Sequence, residues 1–159
     1  MIERKTIFSP CRVYRYTLWR ESDSLFYDKA GYVCFIGLNP STADEVKDDP
    51  TIRRCMGFTK SWGYKTLCMV NLFAFRATDP AVMMTAADPV GPENDEWVLK
   101  CAGEAALVVA GWGVNGNYQG RGNQVRSMIH EMRCLDTTLD GSPKHPLYVP
   151  AKQLLRFYS

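Results

Sequence analysis

The chain has 159 residues, of which 46% are hydrophobic and 12% aromatic, and this size and composition suit one compact domain with a substantial core. Its 19 basic and 17 acidic side chains give a net charge of +2, which by itself neither indicates nor excludes a nucleic-acid partner. No apolar run has the length of a membrane span and the N-terminus lacks the apolar centre of a signal peptide, so we expect a single cytoplasmic domain over 1–159.

Apolar strands alternate with amphipathic segments along the chain. Runs rich in β-branched, aromatic or aliphatic residues predict strands at 11–20, 31–37, 66–75, 106–113 and 133–138. Helical spacing of apolar residues predicts helices at 50–62, 91–105 and 122–133. Continuous apolar strands that alternate with helices are typical of a parallel sheet covered on both faces. We therefore predict an α/β fold of three layers (α/β/α) around a central, mainly parallel sheet of about four strands.

Four loops follow the predicted strands and are candidates for a binding site. They read GLNPST (37–42), NLFAFRATDP (71–80), GWGVNG (111–116) and SPKHPLYV (142–149). Ligands of parallel sheets bind beyond the carboxyl ends of the strands, which is where these loops are expected. The GWGVNG loop has the G-x-G-x-x-G spacing of dinucleotide sites, but it follows the third buried strand instead of the first, and no helix opens at once. We interpret it as a flexible glycine-rich loop that lines a site.

Three side chains in these loops have chemistry that a simple turn does not need. Asn39 adds an amide beside backbone N–H groups, although the alternative for this loop is a turn that only caps the next helix. Asn71 interrupts an apolar run, where an amide is costly to bury without partners; its alternative is a structural bond to the backbone. His145 precedes a proline in a turn-rich loop, and the alternative is an incidental surface histidine.

The six cysteines predict no metal site. They form no C-x-x-C pair, and His130 and His145 are the two histidines that could assist them. Several, such as Cys34 and Cys68, lie inside apolar runs. We interpret them as buried, reduced thiols that pack as small hydrophobes.

The order of these motifs resembles the uracil-DNA glycosylase superfamily. GLNP is similar to the GINPG motif of its mismatch-specific branch, the spacing through VNLFAFRATDP is similar to its small bacterial and archaeal branch, and His145-Pro146-Leu147 stands where the superfamily has His-Pro-Ser. Over about residues 10 to 155 the chain is also identified as a member of DUF1643, a bacterial and phage family with the hallmarks GLNPSTAD, DDPTIRR, VNLFA and HPLY.

The glycosylase resemblance implies a fold, an activity and roles for single residues. Asn39 would orient the attacking water, Asn71 would read an extruded base, and His145 would stabilise the charge that develops on the base. The residues expected to contact the substrate are Gly37, Leu38, Pro40, Ser41, Asn71, Arg76, Pro146 and Tyr148. The partner would be DNA or another nucleobase-containing ligand, and no cofactor or membrane is expected.

The chain departs from that superfamily at several positions. Phe75 occupies one cysteine place of its iron–sulfur branches and the N-terminal C-x-x-C pair is missing, so no iron–sulfur cluster is predicted. Leu147 and Tyr148 replace the serine of the His-Pro-Ser motif, and the loop after the first motif offers no aromatic residue to stack on a base. The sequence makes no prediction of the oligomeric state.

An acidic loop close to the first motif is the candidate source of a general base. Either it is a solvated helix-capping loop, or one of its carboxylates supplies the base that an amide cannot; these are Asp44, Glu45, Asp48 and Asp49. Six basic residues are expected along the same sheet edge: Arg53, Arg54, Arg76, Arg121, Arg126 and Lys144. The first hypothesis is a DNA glycosylase-like hydrolase of an N-glycosidic bond. The alternatives are a non-catalytic nucleobase- or nucleotide-binding module and an enzyme that acts on a nucleoside-like metabolite.

Overall fold

A computed structural model of the protein describes residues 5–23 and 25–159. The expectation about the N-terminal signal rests partly on residues 1–4, which lie outside that range. In the described part of the chain, no helix combines the length and the apolar character needed to cross a membrane.

The described residues form a mixed sheet of seven strands in the order β1-β2-β4-β3-β5-β6-β7. Four neighbouring strands, β4, β3, β5 and β6, run parallel, whereas β1 and β2 at one edge and β7 at the other pair antiparallel. The strands are β1 (Thr6–Phe8), β2 (Arg15–Glu21), β3 (Tyr32–Gly37), β4 (Thr66–Asn71), β5 (Leu107–Ala110), β6 (Arg133–Cys134) and β7 (Arg156–Phe157).

The α/β class is as predicted, but the predicted strand number of about four is wrong. Two strands, β1 and β7, match none of the predicted runs; they are the edge strands and have only three and two residues. Segments this short carry too few residues to show an alternating pattern. The predicted opening strand also pairs antiparallel with β4, so its direction could not be read from its apolar composition.

Four α-helices connect the strands within the described residues: α1 (Pro50–Ser61), α2 (Pro80–Thr85), α3 (Asn94–Glu104) and α4 (Arg121–Met128). Helix α1 begins where predicted, because the Asp49 side chain accepts a hydrogen bond from the Ile52 backbone N–H (2.9 Å) and Pro50 occupies the first turn. The predicted helix over 122–133 is too long. Ile129 is already extended, because the short connection to β6 leaves no room for another turn.

Two groups of buried side chains cover the opposite faces of the sheet. Alternate residues of β3 belong to different groups, with Val33 and Phe35 on one face and Cys34 and Ile36 on the other. Helix α1 packs on the first face, whereas α3 and α4 contribute to the second. Both faces of the central strands are therefore buried, which explains why their sequences are apolar throughout.

Strand β2 brings its first residue, Arg15, to the carboxyl ends of the parallel strands. It does so because β2 is antiparallel to β4. Ile7 of β1 pairs with Thr17 while Phe8 pairs with Arg15, so Tyr16 is an extra residue and forms a β-bulge. The bulge interrupts the pairing of β2 with β1 directly after Arg15.

Candidate active site

A cleft of about 710 Å³ lies at the carboxyl ends of β3 and β4. All four loops singled out in the sequence contribute to it. Its wall is formed by residues 37–42, 49–52 and 112–115, together with Arg15, Met69, Asn71, Ala77, Thr78, Pro80, Thr138, Lys144, His145, Leu147 and Tyr148. The topology thus places these loops at one edge of the sheet, as expected for parallel strands.

The GLNP loop is held against the segment that follows β4. Backbone N–H groups of Leu72, Phe73 and Ala77 donate to the carbonyl oxygens of Gly37, Leu38 and Pro40 at 2.9, 3.0 and 2.9 Å. The loop therefore continues the pairing of β3 with β4 beyond the ends of the strands.

The Asn39 side chain is fixed by its amide nitrogen. Nδ2 donates to the carbonyl oxygen of Ala77 at 2.8 Å and to that of Pro40 at 3.2 Å. Both amide hydrogens are engaged, so Oδ1 is the atom of this cleft-lining side chain that remains to accept a hydrogen bond. An amide held in this way can place a water molecule but cannot take a proton from it.

Asn71 ends β4 with a buried amide whose nitrogen has no hydrogen-bond partner among the described residues. The residue is 2% exposed and lines the cleft, yet its Nδ2 has no partner among the described residues. Gly37 leaves room for it, because a Cβ at that position would lie 2.7 Å from the Asn71 Oδ1 atom. A buried amide donor without a partner costs about 1–3 kcal/mol, so this arrangement is unfavourable without a ligand.

Two buried side chains, Asn94 and Arg121, hold the backbone at the end of β4. Asn94 Nδ2 donates to the carbonyl oxygens of Asn71 (2.9 Å) and Leu72 (3.0 Å). Arg121 Nε also donates to Leu72 (2.8 Å), and Arg121 Nη2 pairs with Asp95 at 2.6 Å. The end of β4 is therefore held in place, while the Asn71 Nδ2 atom has no partner in the described part of the chain.

His145 faces the cleft as a neutral imidazole. Its Nδ1 accepts a hydrogen bond from the Leu147 backbone N–H (3.1 Å), so the ring proton is on Nε2. Burial lowers the pKa of His145 below its ordinary value of 6.5, although the negative charge of Asp49 acts in the opposite direction. The ring can donate one hydrogen bond from Nε2 without carrying a positive charge.

One of the four acidic candidates borders the cleft. Asp44 accepts the backbone N–H groups of Val46 and Lys47, which lowers its pKa, and Glu45 pairs with Arg12 at 2.6 Å. Asp48 pairs with Arg20 at 2.7 Å. Asp49 lines the cleft at the start of α1 and is the carboxylate positioned to act there.

Arg15 is a cleft residue that sequence reasoning missed. It is 2% exposed, and one of its N–H groups, on Nη1, donates to the Ala43 carbonyl oxygen at 3.0 Å. Its Nε has no partner within 5–23 and 25–159. Burial lowers the pKa of Arg15 to about 10, so the guanidinium stays charged at neutral pH. The signal in the sequence was an arginine at the start of an otherwise β-forming run.

Arg76 and Pro146, both expected to contact the substrate, do not line the cleft. The Arg76 guanidinium lies 4.6 Å from the centre of the Phe8 ring and donates to the Arg12 carbonyl oxygen. Pro146 packs against Gly111, where an added Cβ would lie 3.1 Å from its Cδ. The remaining expected contacts all line the cleft: Gly37, Leu38, Pro40, Ser41, Asn71 and Tyr148.

The expected row of basic side chains is dispersed. Of the six, Lys144 lines the cleft, and it pairs with Asp136 at 3.1 Å. Arg54 donates to the carbonyl oxygens of Pro146 and Val149, and the Arg126 guanidinium lies 4.2 Å from the centre of the Tyr158 ring. Within residues 5–23 and 25–159, the cleft therefore has no broad basic border of the kind that tracks a nucleic-acid backbone.

The glycines of GWGVNG have packing and conformational roles. Gly113 has a positive φ of 72°, and Gly116 lies so close to Trp112 that a Cβ would overlap the indole ring. Residues 111–113 enter a 3₁₀ segment (Val114–Gly120), and residues 112–115 line the cleft. The loop is thus a wall of the cleft built around the buried Trp112.

No group of three or more His, Cys, Asp or Glu side chains in the described part of the chain is arranged to hold a metal ion. Five cysteines are buried and unpaired by disulfides, whereas Cys11 is exposed. Burial raises the pKa of Cys55, which suits a packed thiol better than a nucleophile.

Residues 15–147 match the family described as "Protein of unknown function (DUF1643)", and the chain belongs to this family. No curated protein and no solved structure matches the chain. The matched range begins at Arg15 and ends at Leu147, so it contains nearly the whole cleft.

Proposed function

We propose that this member of the DUF1643 family binds a nucleobase-containing ligand in the cleft and hydrolyses its N-glycosidic bond, on a three-layer fold like that of the uracil-DNA glycosylases. The observation that carries the proposal is the meeting of Asn39, Asn71 and His145 at one cleft. Its volume of about 710 Å³ suits a base with its sugar, since small-molecule sites usually span about 300–1,000 Å³.

Asn71 is proposed to recognise the base. An amide presents a donor and an acceptor side by side, which complements the hydrogen-bonding edge of a pyrimidine. Its Nδ2 is buried and unbonded within the described residues, so a base carbonyl would remove the cost of leaving it without a partner. The support from Asn94 and Arg121 behind the strand keeps this amide at a fixed position.

His145 is proposed to stabilise the departing base. When the C1′–N bond breaks, its electron pair moves onto the base and negative charge develops on a ring carbonyl oxygen. The Nε2–H group of the neutral imidazole donates to that oxygen. A fixed donor aimed at developing charge is worth about 10²- to 10³-fold in rate.

Asn39 and Asp49 are proposed to position and activate the water. The Asn39 Oδ1 accepts one hydrogen bond from the water, the water oxygen forms a bond to C1′, and the Asp49 carboxylate takes the proton that is released. The base leaves as an anion and is protonated by solvent. Tyr148, which is 80% exposed at the border of the cleft beside His145, offers the aromatic surface on which a base can stack.

Two alternatives each have an observation in their favour. A non-catalytic nucleotide-binding module is favoured by Asp49, because one carboxylate oxygen is already engaged as the cap of α1. A nucleoside-like metabolite is favoured over DNA by the dispersed basic residues around the cleft.

The proposal is tested by searching for a released base. Purified protein in excess is incubated with oligonucleotides that carry uracil, hypoxanthine, thymine opposite guanine or hydroxymethylated pyrimidines, and with free nucleosides and nucleotides. Abasic sites are revealed by alkali, and free bases by mass spectrometry. Release that is lost in Asn39→Ala and kept in Arg53→Met, a change on the exposed side of α1, supports hydrolysis. Binding without any released base supports the binding module instead, and the absence of both contradicts the proposal.

A further inference from the structure

Three buried arginines lie in the described part of the chain, and one of them has fewer hydrogen-bond acceptors around it than the other two. Arg20 is 1% exposed and pairs with Asp48, while its other nitrogens donate to the carbonyl oxygens of Trp19, Asp44 and Lys47. Arg121 pairs with Asp95 and also bonds Leu72 and Gln124. Each of these guanidinium groups has an acceptor for every nitrogen.

Among the described residues, the Arg15 guanidinium makes one hydrogen bond. The Ala43 carbonyl oxygen accepts from Nη1, Nε is buried without a partner, and no carboxylate within 5–23 and 25–159 forms an ion pair with it. Removing a guanidinium from water in this way is unfavourable unless a partner is supplied. The same side chain lines the cleft, so a bound ligand can supply the partner.

The charges around Arg15 leave it positive. The negative charge of Asp49 acts on it favourably but lies outside ion-pair distance, and Arg76 and Arg20 add further positive charge. One oxygen of Asp49 is held by the Ile52 backbone N–H, which keeps this carboxylate at the start of α1. An anion in the cleft would therefore meet a guanidinium that forms no ion pair with a carboxylate of the described residues.

We infer that Arg15 is the anion-binding residue of the cleft and that the ligand carries a phosphate group, which the Arg15 guanidinium holds. The identity of the anion as phosphate rests on the proposed function, because a nucleobase-containing ligand carries its negative charge there. Two sources share this chemistry, the monoester of a free nucleotide and a phosphodiester of a nucleic-acid backbone. The inference assigns Arg15 to binding in addition to its one hydrogen bond to the Ala43 carbonyl oxygen.

The first test compares affinities in the wild-type protein by calorimetry. Hydrogen bonds to a charged group are worth about 10- to 100-fold in affinity, so a nucleoside 5′-monophosphate is expected to bind that much more tightly than its nucleoside. In Arg15→Met the two ligands should bind about equally. In Arg15→Lys the difference in affinity should be intermediate, because lysine keeps the positive charge but lacks the planar guanidinium that can donate two N–H groups to one phosphate. Equal affinities in the wild-type protein would overturn the inference while leaving the proposed function intact.

The second test uses inorganic phosphate, so that it does not depend on the nucleobase. Phosphate is expected to raise the melting temperature of the wild-type protein and of Arg53→Met relative to chloride at the same ionic strength, and to leave that of Arg15→Met unchanged. Arg53→Met is the matched control, since it removes the same charge from an exposed position. Equal stabilisation of all three proteins would overturn the inference. Stabilisation that needs Arg15, without binding of any nucleoside or nucleotide, would keep it and contradict the proposed function.

Two further comparisons complete the test of Arg15. Short oligonucleotides with and without a terminal phosphate distinguish the two sources: a requirement for the terminal group assigns a monoester, and binding without it assigns a backbone phosphodiester. If Arg15→Met does not fold, the ratio of the two affinities in the wild-type protein and in Arg15→Lys decides, and a ratio near one in both overturns the inference.

Discussion

Strand β2 has a buried arginine near each end, and the two arginines differ in their hydrogen-bond and ion-pair partners. Arg20 lies in a set of acceptors built from the loop between β3 and α1, including the carboxylate of Asp48. Arg15 lies at the cleft with one carbonyl partner. The amide nitrogens of two buried asparagines differ in a similar way, because Asn94 Nδ2, at the start of α3, donates to two carbonyl oxygens and Asn71 Nδ2 has no partner among the described residues.

We interpret this difference as one between residues that hold the fold and residues that would bind a ligand. A buried polar group that is fully bonded contributes to stability, whereas one left unbonded lowers it. Unfavourable groups of this kind concentrate at functional sites, where binding energy offsets them. Arg20 and Arg121, whose nitrogens are all bonded, should therefore respond to mutation in stability, and the cleft set of Arg15, Asn71, His145 and Asp49 in activity.

The largest effect is expected from Asp49→Asn. Loss of the general base should lower the rate of base release by about 10²- to 10⁴-fold, while stability stays nearly unchanged because asparagine caps a helix as well as aspartate does. Asp79→Asn is the matched control, since Asp79 caps α2 in the same way and does not line the cleft. Comparable loss of rate in both variants would show that the effect comes from the caps.

The two arginines of β2 should differ most clearly in stability. Arg20→Met removes an ion pair and three contacts to carbonyl oxygens, and the free energy of unfolding should fall by about 3 kcal/mol. Arg15→Met removes a poorly matched charge and should change it by less than about 1 kcal/mol in either direction. Urea denaturation without ligand measures both. A loss of the same size in both variants would remove the distinction on which the comparison rests.

Gly37→Ala should disturb the position of the Asn71 amide. The new Cβ would lie 2.7 Å from Asn71 Oδ1 and from the Met69 terminal methyl group, and such overpacking costs about 1–3 kcal/mol. Gly57→Ala in α1 is the control, because nothing lies within 4 Å of its Cβ position and alanine should stabilise that helix by up to about 1 kcal/mol. Thermal unfolding together with ligand titration measures the two changes. Unaltered ligand affinity in Gly37→Ala would contradict the role given to Asn71.

The smallest expected effect is a dependence on pH through His145. Its folded-state pKa lies below the ordinary 6.5, so its contribution to stability is complete above about 6.5 and is lost as the pH falls through the lowered pKa. Protonation of Nδ1 also breaks the hydrogen bond from Leu147, so the rate of base release should fall over the same range. His145→Gln, which keeps an N–H donor, should lack this dependence. If the rate of base release still falls at low pH in that variant, another group is responsible for the pH dependence.

The sequence located most of the cleft because strand ends are local features. Asn39 and Asn71 follow or end apolar runs, and their loops meet because β3 and β4 are parallel. Arg15 could not be located in this way, since a parallel β2 would have placed it at the opposite edge of the sheet. Its position depends on antiparallel pairing with β4 and on the bulge at Tyr16, both of which are set by residues distant in the sequence.

Local sequence patterns also could not show which of the four acidic residues lies at the cleft. The carboxylates of Glu45 and Asp48 form ion pairs with Arg12 and Arg20, which lie 33 and 28 positions away. Asp49 remains at the cleft because α1 begins there. Arg76 and Pro146 were misplaced for the same reason, as their contacts with Phe8 and Gly111 are long-range. Tertiary contacts, more than residue type, separate the site residues from their neighbours.

The most direct test of this account is a calorimetric titration of nucleosides and nucleoside monophosphates into the wild-type protein and Asn71→Leu, with unfolding measured on the same samples. The account predicts that the wild-type protein binds one class of base, and that Asn71→Leu stays within about 1 kcal/mol of wild-type stability while losing that binding. Equal binding by both proteins, or an Asn71→Leu variant that unfolds while the wild-type protein binds none of the ligands, would contradict it.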